Sequence, residues 1–287
     1  MASETNSRSR ALTIAGFDPS GGAGVLADVR TFAAFGFRAS AAITSVTFQN
    51  TAHVFGAIHQ TGEAVRAQVM PLLEDAKIVC AKIGMLPTRD VVLEVARLFR
   101  ENDLPRPVVD PVIMSSSGYR LMEESALAVL IEELLPLARL VTPNIPEAET
   151  LTGIAITSEA EMRRAAAVIR ELGAQAVLIK GGHLKKQKSA VRSQKAEGSK
   201  QETVTNKAPD ESDEAIDVLD NEGQVTVFRE KRLSGAELHG TGCILSAAIA
   251  AGLGQGKTLE DSVAGAKRFV LEAIRNSASG TSMANGN

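Results

Sequence analysis

His239-Gly240-Thr241-Gly242-Cys243 stands directly before Ile244 to Ala251, a run of good helix formers. Glycines at a helix start let backbone N–H groups converge on one point, where the helix dipole adds partial positive charge. Such an anion hole suits a phosphate that gains charge during transfer, because the donors are already oriented. Cys243 in that first turn is expected to have a lowered pKa and to sit as thiolate or close to it. A tight turn that packs a helix on a sheet, with Cys243 merely buried, is the alternative. This segment by itself leaves both open.

Three further segments could serve the same chemistry. Gly16-Phe17-Asp18-Pro19-Ser20-Gly21-Gly22-Ala23-Gly24 follows a strand but lacks the Gly-Lys-Ser/Thr ending of a P-loop and the spacing of a dinucleotide fingerprint. Asp28, one helical turn past its last glycine, either looks back to the ligand edge or is a solvated helix residue. Thr142-Pro143-Asn144-Ile145-Pro146-Glu147 follows a strand and opens a helix. Asn144 and Glu147 could order Mg²⁺ and its waters, or form a helix cap. Lys180 ends an apolar strand before Gly181-Gly182-His183, and either neutralises a phosphate or snorkels to solvent. Cys80 reads as an inert core thiol, His53 and His59 lack ligand-spaced partners, and His183 and His239 read as structural hydrogen-bonding residues.

Positioning these segments takes alternating strands and helices. Strands are expected at 11–16, 41–48, 54–58, 78–83, 108–109, 140–142 and 176–180, separated by helices at 25–35, 63–73, 91–99, 126–135 and 159–172. That alternation implies an α/β fold, a mostly parallel sheet with helices on both faces. Ile216 to Leu219 with Gln224 to Phe228 reads as a hairpin at an antiparallel edge, followed by helices at 243–251 and 258–274. The candidate residues then fall at strand carboxyl ends, where open α/β sheets bind ligands. Residues 1–10 and 276–287 read as a disordered lead and tail around one domain, 11–275. Lys185 to Glu214 has no Leu, Ile, Phe or Met, and reads as a disordered insertion or as a charged flap over an anionic ligand.

Bulk properties narrow the class. The 287 residues are 44% hydrophobic and 23% charged, with a net charge of −3, no Trp and one Tyr. Few aromatics and no basic excess argue against nucleic-acid binding. No run of 18 apolar residues is present, so no membrane span is expected. Two cysteines fit a reducing cytoplasm better than a disulfide framework.

In order, Ala15 to Gly24, Gln49-Asn50-Thr51, Lys82-Ile83-Gly84-Met85-Leu86, Asp110-Pro111-Val112, Thr142 to Ala148, Lys180 to His183 and His239 to Cys243 resemble one known family. It is the hydroxymethylpyrimidine/phosphomethylpyrimidine kinases of thiamine biosynthesis, with a ribokinase-like three-layer sandwich fold, and the resemblance spans about residues 11 to 275. It implies ATP- and Mg²⁺-dependent phosphorylation of 4-amino-5-hydroxymethyl-2-methylpyrimidine and then of its monophosphate. Gly16, Asp28, Gln49, Met85 and Val112 would line the pyrimidine pocket. Lys180, Asn144, Thr241 and Gly242 would serve ATP, and Glu147 and Asp110 the metal. Gly240, Thr241 and Gly242 would form the anion hole. Cys243 would be the base, where most sugar kinases of this fold keep an aspartate. A homodimer is implied as well.

Several positions depart from the pattern: Phe17 for a small polar residue, Phe48 for a smaller one beside Gln49, and Tyr119 for an Asp. These bear on substrate choice. Two other readings therefore stay open, a pyridoxal kinase acting on a flat heteroaromatic with a hydroxymethyl group, and a non-catalytic pyrimidine sensor on the same scaffold.

Overall fold

A computed structural model describes residues 10–182, 214–231 and 239–278. Most of the expected lead and insertion, and the far end of the tail, lie outside them, as does His183. The chain folds around a nine-stranded sheet: β1 (Arg10–Phe17), β2 (Arg38–Gln49), β3 (Val54–His59), β4 (Ile78–Ile83), β5 (Val108–Val109), β6 (Leu140–Val141), β7 (Ala176–Gly181), β8 (Glu214–Asn221) and β9 (Gln224–Lys231). The order is β3-β2-β1-β4-β5-β6-β7-β8-β9. β2, β1, β4, β5, β6 and β7 run parallel. β8 and β9 form the expected antiparallel edge, and β3 adds an antiparallel strand on the opposite side.

Strand alternation divides the core in two. Leu12, Ile14, Ala81, Ile83, Val109, Val141, Val177 and Ile179 point to one face. That face is covered by α2 (Gly62–Asp75), α3 (Arg89–Glu101), α4 (Glu124–Val129), α5 (Ile145–Thr152) and α6 (Glu159–Glu171). Ala11, Cys80, Val108, Leu140, Ala176 and Leu178 point to the other, covered by α1 (Gly24–Ala34), α7 (Thr241–Gly254) and α8 (Leu259–Ala278). This is the three-layer arrangement, helices on both faces of a mostly parallel sheet, that the family resemblance implies.

α3 shows how sequence selects a face. Val91, Val92, Val95, Ala96, Leu98 and Phe99 are buried, and the Thr88 hydroxyl caps the first turn by accepting from the Val91 amide. Removing that cap costs about 1 kcal/mol. α7 is different: Ile244 to Gly252 are buried all round, because the helix lies between the sheet and α8. Gly252 makes that packing possible, since an added Cβ would come 2.8 Å from the Ser262 hydroxyl.

The largest departures from the expected boundaries fall at two helix ends. The helix expected over 126–135 stays α-helical only to Val129, then passes through a π turn (Leu130–Leu134) and a 3₁₀ turn (Leu135–Leu137). Pro136 accounts for this, because it has no N–H to donate and its ring crowds the carbonyl four residues back. At the end, α8 continues to Ala278, past the expected end at 274.

Candidate active site

On the α1/α7/α8 face the side chains of the parallel strands turn from apolar to polar toward their carboxyl ends. Thr13, Lys82, Asp110, Thr142 and Lys180 each lie two residues beyond a core residue (Ala11, Cys80, Val108, Leu140 and Leu178). Period-two alternation therefore lines up a polar row at the carboxyl edge of the sheet, under the N-termini of α1 and α7.

On the β7 side, Lys180 Nζ lies 2.8 Å from Asp110 Oδ1, which also accepts from the Thr142 hydroxyl at 3.1 Å. Gly242 packs above them: a Cβ there would sit 3.2 Å from Lys180 Nζ. Burial works against the charge of Asp110, but Lys180 and Lys82 outweigh it and hold the carboxyl below its usual range. Burial likewise opposes the Lys180 ammonium, and Asp110 and Glu147 keep its pKa above the lysine value.

Glu147 closes this cluster. Asn144 Oδ1 accepts from the Glu147 amide at 2.9 Å, and Glu147 Oε2 accepts from the Asn144 amide at 2.8 Å. Both halves of a capping box are thus formed, so the Asn144 side chain is engaged in holding α5. Burial pushes the Glu147 carboxyl up to about 7, with Asp110 adding to the rise and Lys180 opposing it. Among the described residues no three His, Cys, Asp or Glu side chains form a metal cage. Mg²⁺ does not require one, since it binds through one or two carboxylates together with phosphates and water. A buried carboxylate short of positive charge, next to Asp110, fits that donor set.

On the β1 side, the loop before α1 is built around Asp18. Its Oδ1 accepts from the Ser20 amide and hydroxyl (2.8 and 2.7 Å), and its Oδ2 from the Ala23 amide (2.9 Å). His239 Nε2 lies 3.1 Å from the same Oδ2 and 3.4 Å from Gln49 Nε2. Gly24 (φ +58°) and Gly240 (φ +85°) take left-handed backbone where a side chain would overlap the carbonyls of Gly16 and Gly22 respectively. The two glycine loops thus pack directly on each other. Gly16 also abuts Met85, its absent Cβ lying 2.9 Å from Met85 Sδ.

Gly16, Met85 and Gln49 thus gather around the β1 loop, and Lys180, Asp110, Glu147, Asn144 and Gly242 around the β7 end. Val112 is half-buried two residues beyond Asp110, its amide bonded to the Asp110 carbonyl. Asp28 is fully buried, its carboxylate bound by Thr13 (2.6 Å) and Lys82 (2.9 and 3.0 Å). Lys82 and Asp18 are the groups that sequence reasoning passed over. A lysine at an inward position of the central apolar strand Ile78–Ile83 was the available signal for the first.

Cys243 lies between the two clusters, in the first turn of α7, whose N-cap Gly240 offers no side-chain cap to the leading amides. The expectation of a lowered pKa is corrected. Burial pushes the thiol up, Asp28 and Asp110 add to the rise, and Lys82 and the Gly24 amide offset it only in part. The resting group is therefore a thiol. A cleft of about 470 Å³ bordered by Glu74, Asp75, Lys77 and Asp103 lies at the opposite end of the sheet, away from all these groups. The convergent polar row assigns the site to the carboxyl edge.

Comparison with known proteins identifies the family. The phosphomethylpyrimidine kinase family profile matches residues 18–286. A hydroxymethylpyrimidine/phosphomethylpyrimidine kinase from Rhizobium meliloti is 41% identical over 265 residues, 92% of this chain and 90% of the relative. A crystal structure of phosphomethylpyrimidine kinase from Clostridium difficile superposes with a TM-score of 0.75 at 34% identity, over 93% of this chain and all of that one. The pyridoxal kinase from Staphylococcus aureus, solved with AMP-PCP and pyridoxal, gives 0.76 at 28% identity, over 94% of this chain and 88% of that one. The chain belongs to the phosphomethylpyrimidine kinase family.

Proposed function

We propose that this kinase phosphorylates 4-amino-5-hydroxymethyl-2-methylpyrimidine with ATP, and then phosphorylates the monophosphate to the diphosphate, in thiamine diphosphate biosynthesis. The observation that carries this reading is the setting of Cys243. It stands at an uncapped helix start between the Asp18–Gln49 loop cluster and the Lys180–Asp110–Glu147 cluster.

Each part has a role set by its chemistry. The Gln49 amide can donate and accept, which matches an aminopyrimidine edge, and Gly16, Met85 and Val112 supply flat apolar walls. Asp28 acts from beneath the pocket through Thr13 and Lys82. The amides of Gly240, Thr241 and Gly242 face the transferring phosphoryl group. Lys180 brings positive charge to the phosphates, with Asn144 fixing the strand-to-helix turn beside it. Glu147 and Asp110 would hold Mg²⁺, which when bound offsets phosphate charge. Cys243 accepts the alcohol proton in the first step. In the second step the attacking oxygen is already anionic, so a base matters less.

A pyridoxal kinase reading is favoured by one observation, the close superposition on the pyridoxal-bound relative. Steady-state turnover of pyridoxal and of the hydroxymethylpyrimidine, measured side by side, separates the two. Ligand binding without any ATP-dependent product would instead support a sensor. We further propose a cytoplasmic homodimer. No described helix is long and apolar enough to cross a membrane, both cysteines are free, and Phe48, Phe55 and Ile58 are exposed on the β2–β3 ribbon. Light scattering of the wild type and of Ile58→Asp tests the association.

A further inference from the structure

Lys82 is the one described cation with no exposed surface at all. Its Nζ donates to both oxygens of Asp28, at 3.0 and 2.9 Å, and Asp28 Oδ2 also accepts from Thr13. Gly84 leaves room for the ammonium, since an added Cβ would lie 2.8 Å from Nζ. A buried ion pair of this kind contributes little net stability, and apolar replacements are often as stable or more so. Its place in the fold points to another use. Asp28 rides on α1 and Cys243 on α7, two helices that pack together, and Gly24 at the head of α1 donates its amide toward the Cys243 sulfur.

The polar row under the N-terminus of α7 carries Lys82 from β4, Asp110 from the end of β5 and Lys180 from β7, with Asp28 of α1 bound to Lys82, and the charges of these groups act on Cys243. Lys180 is paired with Asp110 beside the phosphate-side Gly242, whereas Lys82 is held back from that side by Asp28. We propose that Lys82, held by Asp28, is a positioning residue whose ammonium favours the Cys243 thiolate that takes the proton of the substrate alcohol. The inference rests on the reading of Cys243 as base given above. In that step the alcohol O–H bond breaks and an S–H bond forms. The oxygen bonds to the γ-phosphorus as the bond to the bridging oxygen breaks, and ADP leaves with that electron pair. Burial and the two aspartates favour the thiol, so the cation is the main side chain available to counter them. Its own pKa is held above the lysine range by Asp28, Cys243 and Asp110 although burial opposes it, so it keeps its charge at working pH.

The test compares wild type with Lys82→Met, Lys82→Arg and the double variant Lys82→Met/Asp28→Asn, which leaves no unpaired buried charge if the single Met variant does not fold. Two readouts are taken against pH: kcat/KM for the alcohol and for the monophosphate, and the rate at which iodoacetamide labels the Cys243 peptide of ligand-free protein. Losing an opposite charge at close range raises a pKa by about one unit or more. For Lys82→Met we expect the labelling curve and the alcohol profile to move to higher pH by about that much. The alcohol step falls roughly tenfold below the limb, while the monophosphate step changes less than about threefold. Lys82→Arg restores most of both, and the double variant shifts the same way but less, because an opposing charge leaves too. An unmoved labelling curve, or equal losses on both steps with no shift in pH, overturns the proposal. If wild type fails to phosphorylate the alcohol, the functional reading fails, and the labelling curve still judges Lys82.

Discussion

His239 Nε2 sits 3.1 Å from Asp18 Oδ2, across 221 residues of chain, and joins the loop before α7 to the loop before α1. Asp18 holds its own loop through Ser20 and Ala23, and burial, which would raise its pKa, is outweighed by those donors and by Gln49. The carboxylate therefore organises the substrate side of the site as a unit. Asp18→Asn should cost about 1–3 kcal/mol of stability and raise the KM for the pyrimidine more than that for ATP. The folded pKa is depressed, so this stability is present above the ordinary Asp range and lost as pH falls through the folded value. Thermal denaturation between pH 3 and 6 should show that acid loss in wild type and a weaker one in the variant. Parallel curves with an unchanged KM would contradict the role.

Gly240 makes a second prediction. A side chain there meets the Gly22 carbonyl, and an L-residue at φ +85° costs about 1–2 kcal/mol before any clash. Gly240→Ala should lower the melting temperature by several degrees and reduce kcat/KM on both phosphorylation steps alike, because the anion hole serves both. An unaltered melting temperature would show that the loops do not depend on this contact.

Cys243 should separate the two steps instead. Cys243→Ala should lower alcohol phosphorylation by about 10²-fold or more, the usual scale of general-base catalysis, and spare phosphorylation of the monophosphate. Because burial holds the group as thiol at rest, wild-type kcat/KM for the alcohol should climb with pH through the neutral range and beyond. A flat profile, or equal losses on both steps, would remove the thiolate from the mechanism.

Glu147 gives a pH signature of opposite sign to Asp18. Its folded pKa of about 7 lies above the unfolded carboxyl value, burial being the main cause. The stabilising contribution is complete below the ordinary Glu range and is lost as pH rises toward 7. Ligand-free wild type should lose on the order of 1–3 kcal/mol relative to Glu147→Gln across that window. Calorimetry at pH 6.5 should also record more proton release when Mg²⁺ and ADP are added together to wild type than to Glu147→Gln, the difference being the Glu147 proton. Equal pH slopes for the two proteins would refute the buried acid.

Much of this was legible in the sequence, for physical reasons. Ile78–Ile83 and Ala176–Gly181 read as near-continuous apolar runs because these strands are covered on both faces, so the parallel sheet and its ligand edge followed. The Thr142–Glu147 turn carried its capping residues openly. Less legible was whatever depends on three-dimensional neighbours. A helix start argued for a low Cys243 pKa, but the bury-and-pair environment of α7, Asp28 and Asp110 reverses the direction. Lys82 read as one letter of a motif until the register Thr13↔Lys82 set it beside Asp28. Asn144 offered both a metal-ordering and a capping role, and the reciprocal bonds with Glu147 fill the second.

The most direct test of the central claim is the mass of the products. Purified protein is incubated with hydroxymethylpyrimidine, ATP and Mg²⁺, and products are followed by mass spectrometry over time, with pyridoxal in a parallel reaction. The expected result is a pyrimidine gaining one phosphoryl group and then a second, with pyridoxal phosphorylated more slowly. Faster conversion of pyridoxal, or no phosphorylated pyrimidine at all, would contradict it.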